Sequence, residues 1–491
     1  MHRVAFLSRC GTCLLLLGAC GGEKTVTDPP RTYLTIAATT PRNGATDVPI
    51  ETEISATFSQ PVNSPWLQIE PLIGVNVSQS ETRIVFTPIQ PLRINTRYTV
   101  TPVIQDEAGD PSNLPSWSFT TRSGIPVSLT TVSTGNVHAC GLDSNGEALC
   151  WGTNDYGQLG IGQYWPYALP TPVFGDIRFS SIVAGTRGSC ALTSDGKAYC
   201  WGLNDHGELG NGTNLGRGLP TEVVGDERFA TMALGFEHTC GVTAAGEAYC
   251  WGSNVFGALG SGAPPPGCGP SACTKWEQQL TPTRVSGGIS FSTITSGQAF
   301  SCALDMQGAG YCWGYNYYGQ LGDGTVATRW SPTPVSGGHT FGSISAGSFH
   351  SCGLVSTGEA YCWGYNAYGQ LGDGTTDNRL VPVRVRSTVP FARISVGQAH
   401  TCALGKDGTA YCWGLSTAGA LGIGSRDGPE FCGSPYFSQS ACTTIPMPVT
   451  GGIVFTSISA RADRTCGVAS GGAVYCWGGT VTPPLPTRVL R

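Results

Sequence analysis

The residues best suited to chemistry are cysteines, because fourteen of them recur as seven pairs with one spacing: Cys140/Cys150, Cys190/Cys200, Cys240/Cys250, Cys302/Cys312, Cys352/Cys362, Cys402/Cys412 and Cys466/Cys476. Thiols so placed could form disulfides, contribute to metal sites or stay reduced. Two per hairpin fall short of the four ligands that a structural zinc takes. A glycine stands six residues after each first cysteine, at Gly146, Gly196, Gly246, Gly308, Gly358, Gly408 and Gly472. It suits the positive-φ position of a three-residue hairpin loop with a bulge. In that register the two cysteines face each other across neighbouring strands, at a separation that a disulfide spans. Each bridge should stabilise the fold by roughly 2.5 to 3 kcal/mol in the chain-entropy account, before strain is subtracted. Two more pairs, Cys268/Cys273 and Cys432/Cys442, lie in insertions, so nine local disulfides are expected.

Two positions before each first cysteine stand His138, Gly188, His238, Phe300, His350, His400 and Arg464. A ring of histidines could hold a metal or sense pH. Three of the seven positions lack one, however, and no carboxylate recurs beside them, so capping of backbone carbonyls is the expected role. The Asp323-Gly-Thr and Asp373-Gly-Thr segments lack the further acidic ligands of a calcium loop and read as turns. The sequence shows no paired carboxylates, nucleophile elbow, metal-binding histidine pair or phosphate loop. Neither catalysis nor a cofactor or metal is expected.

The N-terminus sets the compartment. Arg3 and Arg9 flank the start of an apolar run, Leu14 to Leu17, which small Gly18 and Ala19 close before Cys20. This pattern is a secretory signal over residues 1–19, too short to span a bilayer, which takes about 20 apolar residues. Leu17-Gly18-Ala19-Cys20 resembles the lipobox of bacterial lipoproteins. The resemblance implies lipidation of Cys20, export and attachment to a membrane, with Gly21 after the cysteine favouring the outer membrane or cell surface. Removal of Cys10 and Cys13 with the signal leaves eighteen cysteines for pairing in an oxidising compartment. Residues 20–30 read as a tether.

The elements that must position the cysteines come from a repeat. Cys-Trp-Gly begins at Cys150, Cys200, Cys250, Cys312, Cys362, Cys412 and Cys476, with the two insertions falling in the longer intervals. The repeat from Pro332 runs Pro-Thr-Pro-Val, Phe341 to Gly347, His350 to Leu354 and Tyr361 to Gly364, then a glycine-rich loop from Tyr365. Four short strands per repeat predict propeller blades. The first repeat has no Pro-Thr-x-Val before it, so the C-terminal Pro486-Thr-Arg-Val489 is expected to complete the first blade as a clasp. The pattern W-G-x-N-x-x-G-x-L-G-x-G, seen at Trp151, Trp201, Trp313 and Trp363, resembles the regulator of chromosome condensation repeat. That resemblance covers residues 126–491 and implies an all-β, seven-bladed β-propeller. Ser416 replaces the asparagine in the sixth repeat, and the seventh lacks the loop. Residues 31–122 alternate apolar and polar positions between Pro/Asn/Gly turns, as in Glu53–Phe58 and Tyr98–Val103. Thr40–Pro49 and Ser118–Thr121 resemble the bacterial immunoglobulin-like domain, which implies an N-terminal β-sandwich.

The net charge of −5, with no adjacent Lys or Arg residues, offers no basic stripe for nucleic acid. The repeated tryptophans are expected to pack the blades, and Asn154, Asn204, Asn254, Asn316 and Asn366 to fasten loop backbone. The loop tips carry Tyr156, Tyr164, Trp165, Tyr167, Phe256, Trp276, Tyr315, Tyr317, Tyr318, Trp330, Tyr365 and Tyr368. Tyr and Trp are the side chains of interface hot spots, so these are the candidate partner contacts. Together these features predict a monomeric, non-catalytic binding or scaffold lipoprotein on the cell envelope, with a protein or envelope glycan as partner. The alternatives are a guanine-nucleotide exchange regulator, which the family resemblance implies, and a glycan-active enzyme. Alkylation of the exported chain without reduction should modify none of the eighteen cysteines, as mass spectrometry reads it, and alkylation after reduction all of them.

Overall fold

A computed structural model of the chain describes residues 33–89, 92–104, 114–124, 127–262, 264, 277–433, 439–479 and 484–490. The signal, Cys20, the tether, Cys268, Cys273 and Trp276 lie outside these residues. The chain divides into two compact units. No helix among the described residues is long and apolar enough to cross a membrane.

The smaller unit is a sandwich of two antiparallel sheets. One holds the strands Ile36–Thr40, Ile54–Phe58, Arg83–Pro88 and Val75–Ser80, and the other holds Ala45–Val48, Trp117–Thr121, Arg97–Val103 and Trp66–Glu70. The period of two is visible in Trp66–Glu70, where Leu67 and Ile69 are buried and Trp66, Gln68 and Glu70 are exposed. Ile54, Phe86, Tyr98 and Phe119 are almost wholly buried, with Tyr98 stacked on Phe119 at 5.5 Å.

In the larger unit, the described residues form seven successive sheets, six of four strands and one of five. A representative sheet runs Phe341–Ala346, His350–Val355, Ala360–Gly364 and Arg379–Arg384, each strand pairing with the next. The second strand is buried along nearly its whole length because both faces of the sheet are covered. The cysteines sit directly opposite in the hairpin, as in Cys352↔Cys362, with Cα atoms 4.0–4.1 Å apart in all seven pairs, and every pair is bonded. Cys432 and Cys442 are bonded as well. Gly146, at φ 76°, donates to the Asp143 carbonyl while Asp143 pairs with Glu147, giving the bulged three-residue loop.

The phase of the repeat differs from the expectation. Thr487–Arg488 pairs with Tyr475 and Cys476, so the last strand completes the seventh sheet, while the first sheet takes Tyr167–Pro172 as its own fourth strand. The Pro-Thr-x-Val segment therefore closes the hairpin before it and is no clasp. The reason is geometric: the loop after Cys-Trp-Gly returns the chain to the free edge of the hairpin it has just left, where Thr171 pairs with Cys150 as Thr487 does with Cys476.

Neighbouring sheets are joined by repeated bonds. The carbonyl of the hairpin glycine accepts from the N–H that opens the next sheet, as in Phe179 to Gly146 and Phe341 to Gly308, and Leu129 makes the same bond to Gly472 of the last sheet at 2.9 Å. Hydroxyls on first strands bind the next first strand, from Ser133 to the Ala184 N–H and from Ser459 back to the Thr134 N–H.

The histidines lie at these joints. Nε2 of His138, His238, His350 and His400 meets the hydroxyl of Ser189, Ser301, Thr401 and Thr465 in the following sheet at 2.8–2.9 Å. Their shared partner is thus a side-chain hydroxyl rather than the carbonyl expected from sequence. Each hydroxyl donates onward to a loop carbonyl, so it accepts from the histidine Nε2–H. Burial holds His138, His238 and His350 down to about 3 and His400 to about 4, against an ordinary 6.5. An unfolded chain takes these protons near pH 6.5, so the histidines' contribution is whole above that pH and is lost as pH falls toward 3–4. Urea midpoints should drop between pH 7 and pH 4.5, each histidine contributing at most about 1.4 kcal/mol per pH unit. His350→Gln should flatten that slope by roughly a quarter.

Candidate functional site

The loops that follow Cys-Trp-Gly are fixed from within. Asn316 Oδ1 accepts the Leu321 N–H at 3.0 Å while its amide donates to the Thr325 and Ala327 carbonyls, and Asn366 acts likewise on Leu371 and Thr375. The next turn is closed by Asp323, whose side chain is 3% exposed and accepts from the Thr325 N–H and hydroxyl and from Arg329 at 2.7 Å. Burial alone would raise its pKa, but the Thr325 hydroxyl and the Arg329 guanidinium outweigh it and hold the carboxyl below the usual range. Asp373 repeats this with Thr375 and Arg379. Both are turn clamps. Ser416, in the asparagine's place, has a buried hydroxyl without a partner.

On these pinned loops the structure assembles one aromatic cluster across the third, fourth and fifth sheets. Phe256 meets Tyr315 at 4.8 Å, Tyr315 stacks on Tyr317 at 6.4 Å, and Tyr317 meets Tyr318 edge-on at 5.0 Å. Tyr318 then meets Tyr365 at 4.7 Å, and Tyr365 meets Tyr368 at 6.2 Å. Phe349 packs against Tyr318 at 5.4 Å beneath the row. Tyr317 is the outermost ring, 66% exposed, and the others are half-buried. Burial first, and then neighbouring tyrosines, push the Tyr315 and Tyr365 phenols up, so both stay neutral and offer ring faces and O–H groups.

The remaining loop aromatics stand apart from this cluster. Tyr156 is capped by the Arg187 guanidinium at 5.0 Å, Tyr167 donates to Gln163, Tyr164 lies over Gly218, and Trp165 is 53% exposed. Trp330 lies against Gly257 with its indole N–H buried and unpartnered. Phe349 was not among the sequence candidates; the one signal for it is its place directly before His350, where the other repeats carry non-aromatic residues. A second polar feature lies at the first strands. Arg461, half-buried and lowered to about 10 by desolvation, donates to the Gly235 carbonyl at 2.8 Å beside a cavity of about 30 Å³ that Asn136, Thr186, Gln298 and Ser348 help to line.

Residues 105–435 match the family model described as RCC1-like domain, and residues 30–121 the bacterial Ig-like domain. The chain belongs to the RCC1-like domain family. Its larger unit is a β-propeller and its smaller one an immunoglobulin-like sandwich. Among solved structures, human WBSCR16 is 20% identical with a TM-score of 0.59, covering 72% of this chain and 92% of that one. Yeast RCC1 (Prp20), in its crystal structure bound to Kap60, is 21% identical with a TM-score of 0.59 over 74% of this chain and 85% of that one. Prp20p from Saccharomyces cerevisiae, in a structure described with its binding properties to Gsp1p and histones, is 21% identical with a TM-score of 0.56 over 68% and 80%. These likenesses concern the fold. No curated protein matches.

Removing the amide that pins a tyrosine-bearing loop leaves three backbone groups without their partner. Asn316→Ala should therefore destabilise the propeller by about 2–3 kcal/mol in urea unfolding.

Proposed function

We propose that this RCC1-like chain is a non-catalytic binding module of the cell envelope, in which Cys20 carries lipid, the sandwich acts as spacer and the propeller is the recognition head. The observation that carries this reading is the aromatic cluster from Phe256 to Tyr368, held on loops whose backbone is tied by Asn316, Asn366, Asp323 and Asp373. Rigid, amphipathic rings bind at low entropic cost, and a protein surface is the favoured partner. The related yeast protein is described with protein partners, Kap60, Gsp1p and histones, which agrees with a propeller that presents loops to other proteins. Guanine-nucleotide exchange is disfavoured by the export signal, which would carry the chain away from cytosolic GTPases.

The head is a closed ring of seven blades. Seven sheets of like register, the repeated hairpin-glycine bond and its recurrence from Leu129 to Gly472 support closure. So do the contacts that run from each first strand to the next and from Phe455–Arg461 back to Thr131–Thr134.

The full-length lipoprotein, captured in detergent with its envelope partner, should lose most of that binding when Tyr317, Tyr318 and Tyr365 are changed to Ala, with an unaltered melting temperature of the sandwich. Unchanged binding by the triple variant would remove the aromatic face from the account. Binding to purified envelope glycan alone would replace the protein partner. Radiolabelled palmitate should enter the wild type but not Cys20→Ala.

A further inference from the structure

At six joints of the propeller, the loop of one sheet plugs the next. Leu159, Leu209, Leu259, Leu321, Leu371 and Leu421 each enter the cluster that the preceding disulfide and the following tryptophan share. At five of the six the carbonyl before that leucine accepts the next indole N–H, from Trp201 to Gln158, Trp251 to Glu208, Trp313 to Ala258, Trp363 to Gln320 and Trp477 to Ala420, at 2.9–3.0 Å, while at the sixth the Trp413 N–H is buried without a partner. The glycine after the leucine lies against the same indole.

At the joint from the last sheet to the first, the described residues give the same walls and no plug. Its cluster contains Cys466, Cys476, Val468, Leu129 and Trp151, but no loop leucine. Trp151 is 7% exposed where the other six are fully buried, and Cys476 is 5% exposed where the other hairpin cysteines are 0%. Among the described residues nothing bonds the Trp151 indole N–H. A cavity of about 530 Å³ opens there, lined by Val137, Trp151, Ala168, Leu169, Arg464 and Val489. That volume is within the roughly 300–1,000 Å³ of ligand sites. The Ala168 carbonyl occupies the position of those of Gly218, Leu280, Trp330, Leu380, Thr444 and Pro484, which each accept a loop glycine N–H. On the wall, the Arg464 Nε is buried without a partner, which favours an acidic guest.

We propose that this open joint docks an acidic, leucine-bearing glycine turn of a partner protein, seated as the chain's own loops are seated at the other six joints. The leucine would fill the space between Cys476 and Trp151, the carbonyl before it would accept the indole N–H, and a neighbouring carboxylate would pair with Arg464. The joint belongs to the first and last sheets and the aromatic cluster to the third, fourth and fifth, so either can fail alone.

The probe is a fluorescein-labelled peptide with the sequence of Asn204–Gly212, NDHGELGNG, titrated against the full chain by fluorescence anisotropy. Saturable binding is expected, lost with Asp in place of the peptide's leucine. Trp151→Phe keeps the ring and removes the donor, and should weaken binding by about two- to tenfold. Arg464→Gln should weaken binding of this peptide while leaving a Gln-for-Glu peptide unchanged, which guards against a Trp151 variant that folds poorly. No saturation up to several millimolar, or equal binding of the Asp peptide, would overturn the proposal. Binding that appears only once Thr480–Pro483 are replaced by glycines would also overturn it, by assigning the groove to the chain's own segment.

Discussion

At five of the six joints the peptide carbonyl before the loop leucine receives two donors from the following sheet: the indole N–H of its tryptophan and the hydroxyl beside its first cysteine, as Gln158 does from Trp201 and Ser189. At three of these the hydroxyl in turn accepts the histidine of the sheet behind, as Ser189 does from His138. A bulky ring, a small hydroxyl and an imidazole from two sheets thus converge on one buried carbonyl group, where an unmade bond would cost the full desolvation of its donor. The arrangement leaves little freedom in how one sheet sits on the next. It also dictates glycine beside the indole, since a Cβ at Gly322 would lie 2.7 Å from the Trp363 Nε1.

The disulfides serve this joint indirectly. A hairpin of five-residue strands is marginal in water, and its two middle strands are buried on both faces only once neighbouring sheets pack against it. The bridge between directly opposed cysteines locks the register that places tryptophan and hydroxyl together, Trp363 being paired with Ser351 one residue from Cys362↔Cys352. A slip by one residue would turn both to the wrong face.

Much of this was legible in the residues. Cysteine spacing and the glycine six residues on give the hairpin, and period and composition give the strand count per unit. What periodicity does not give is phase: a four-strand repeat reads the same wherever it is cut, so the Pro-Thr-x-Val strand was assignable to either neighbouring sheet, and the pairing of Cys476 with Thr487 decides it. The histidine partners lie 51 to 65 residues away in sequence, beyond any local pattern. The aromatic residues show the same limit. Tyr317, Tyr318 and Tyr365 converge because consecutive loops stack, whereas Trp165 and Trp330, equally conspicuous in sequence, do not join them, and Phe349 enters from a different turn.

Each sheet of the larger unit is built from consecutive strands of the chain, four in six sheets and five in the other, and borrows none from the far end. Whole units can therefore be gained or lost by duplication or deletion without orphaning a strand, and the chain can be cut and rejoined between any two of them. The number of units is then a matter of the angle at which wedges meet, not of a strand that must find its way home. A propeller of this kind is free to vary its circumference in evolution more readily than one locked by a shared sheet.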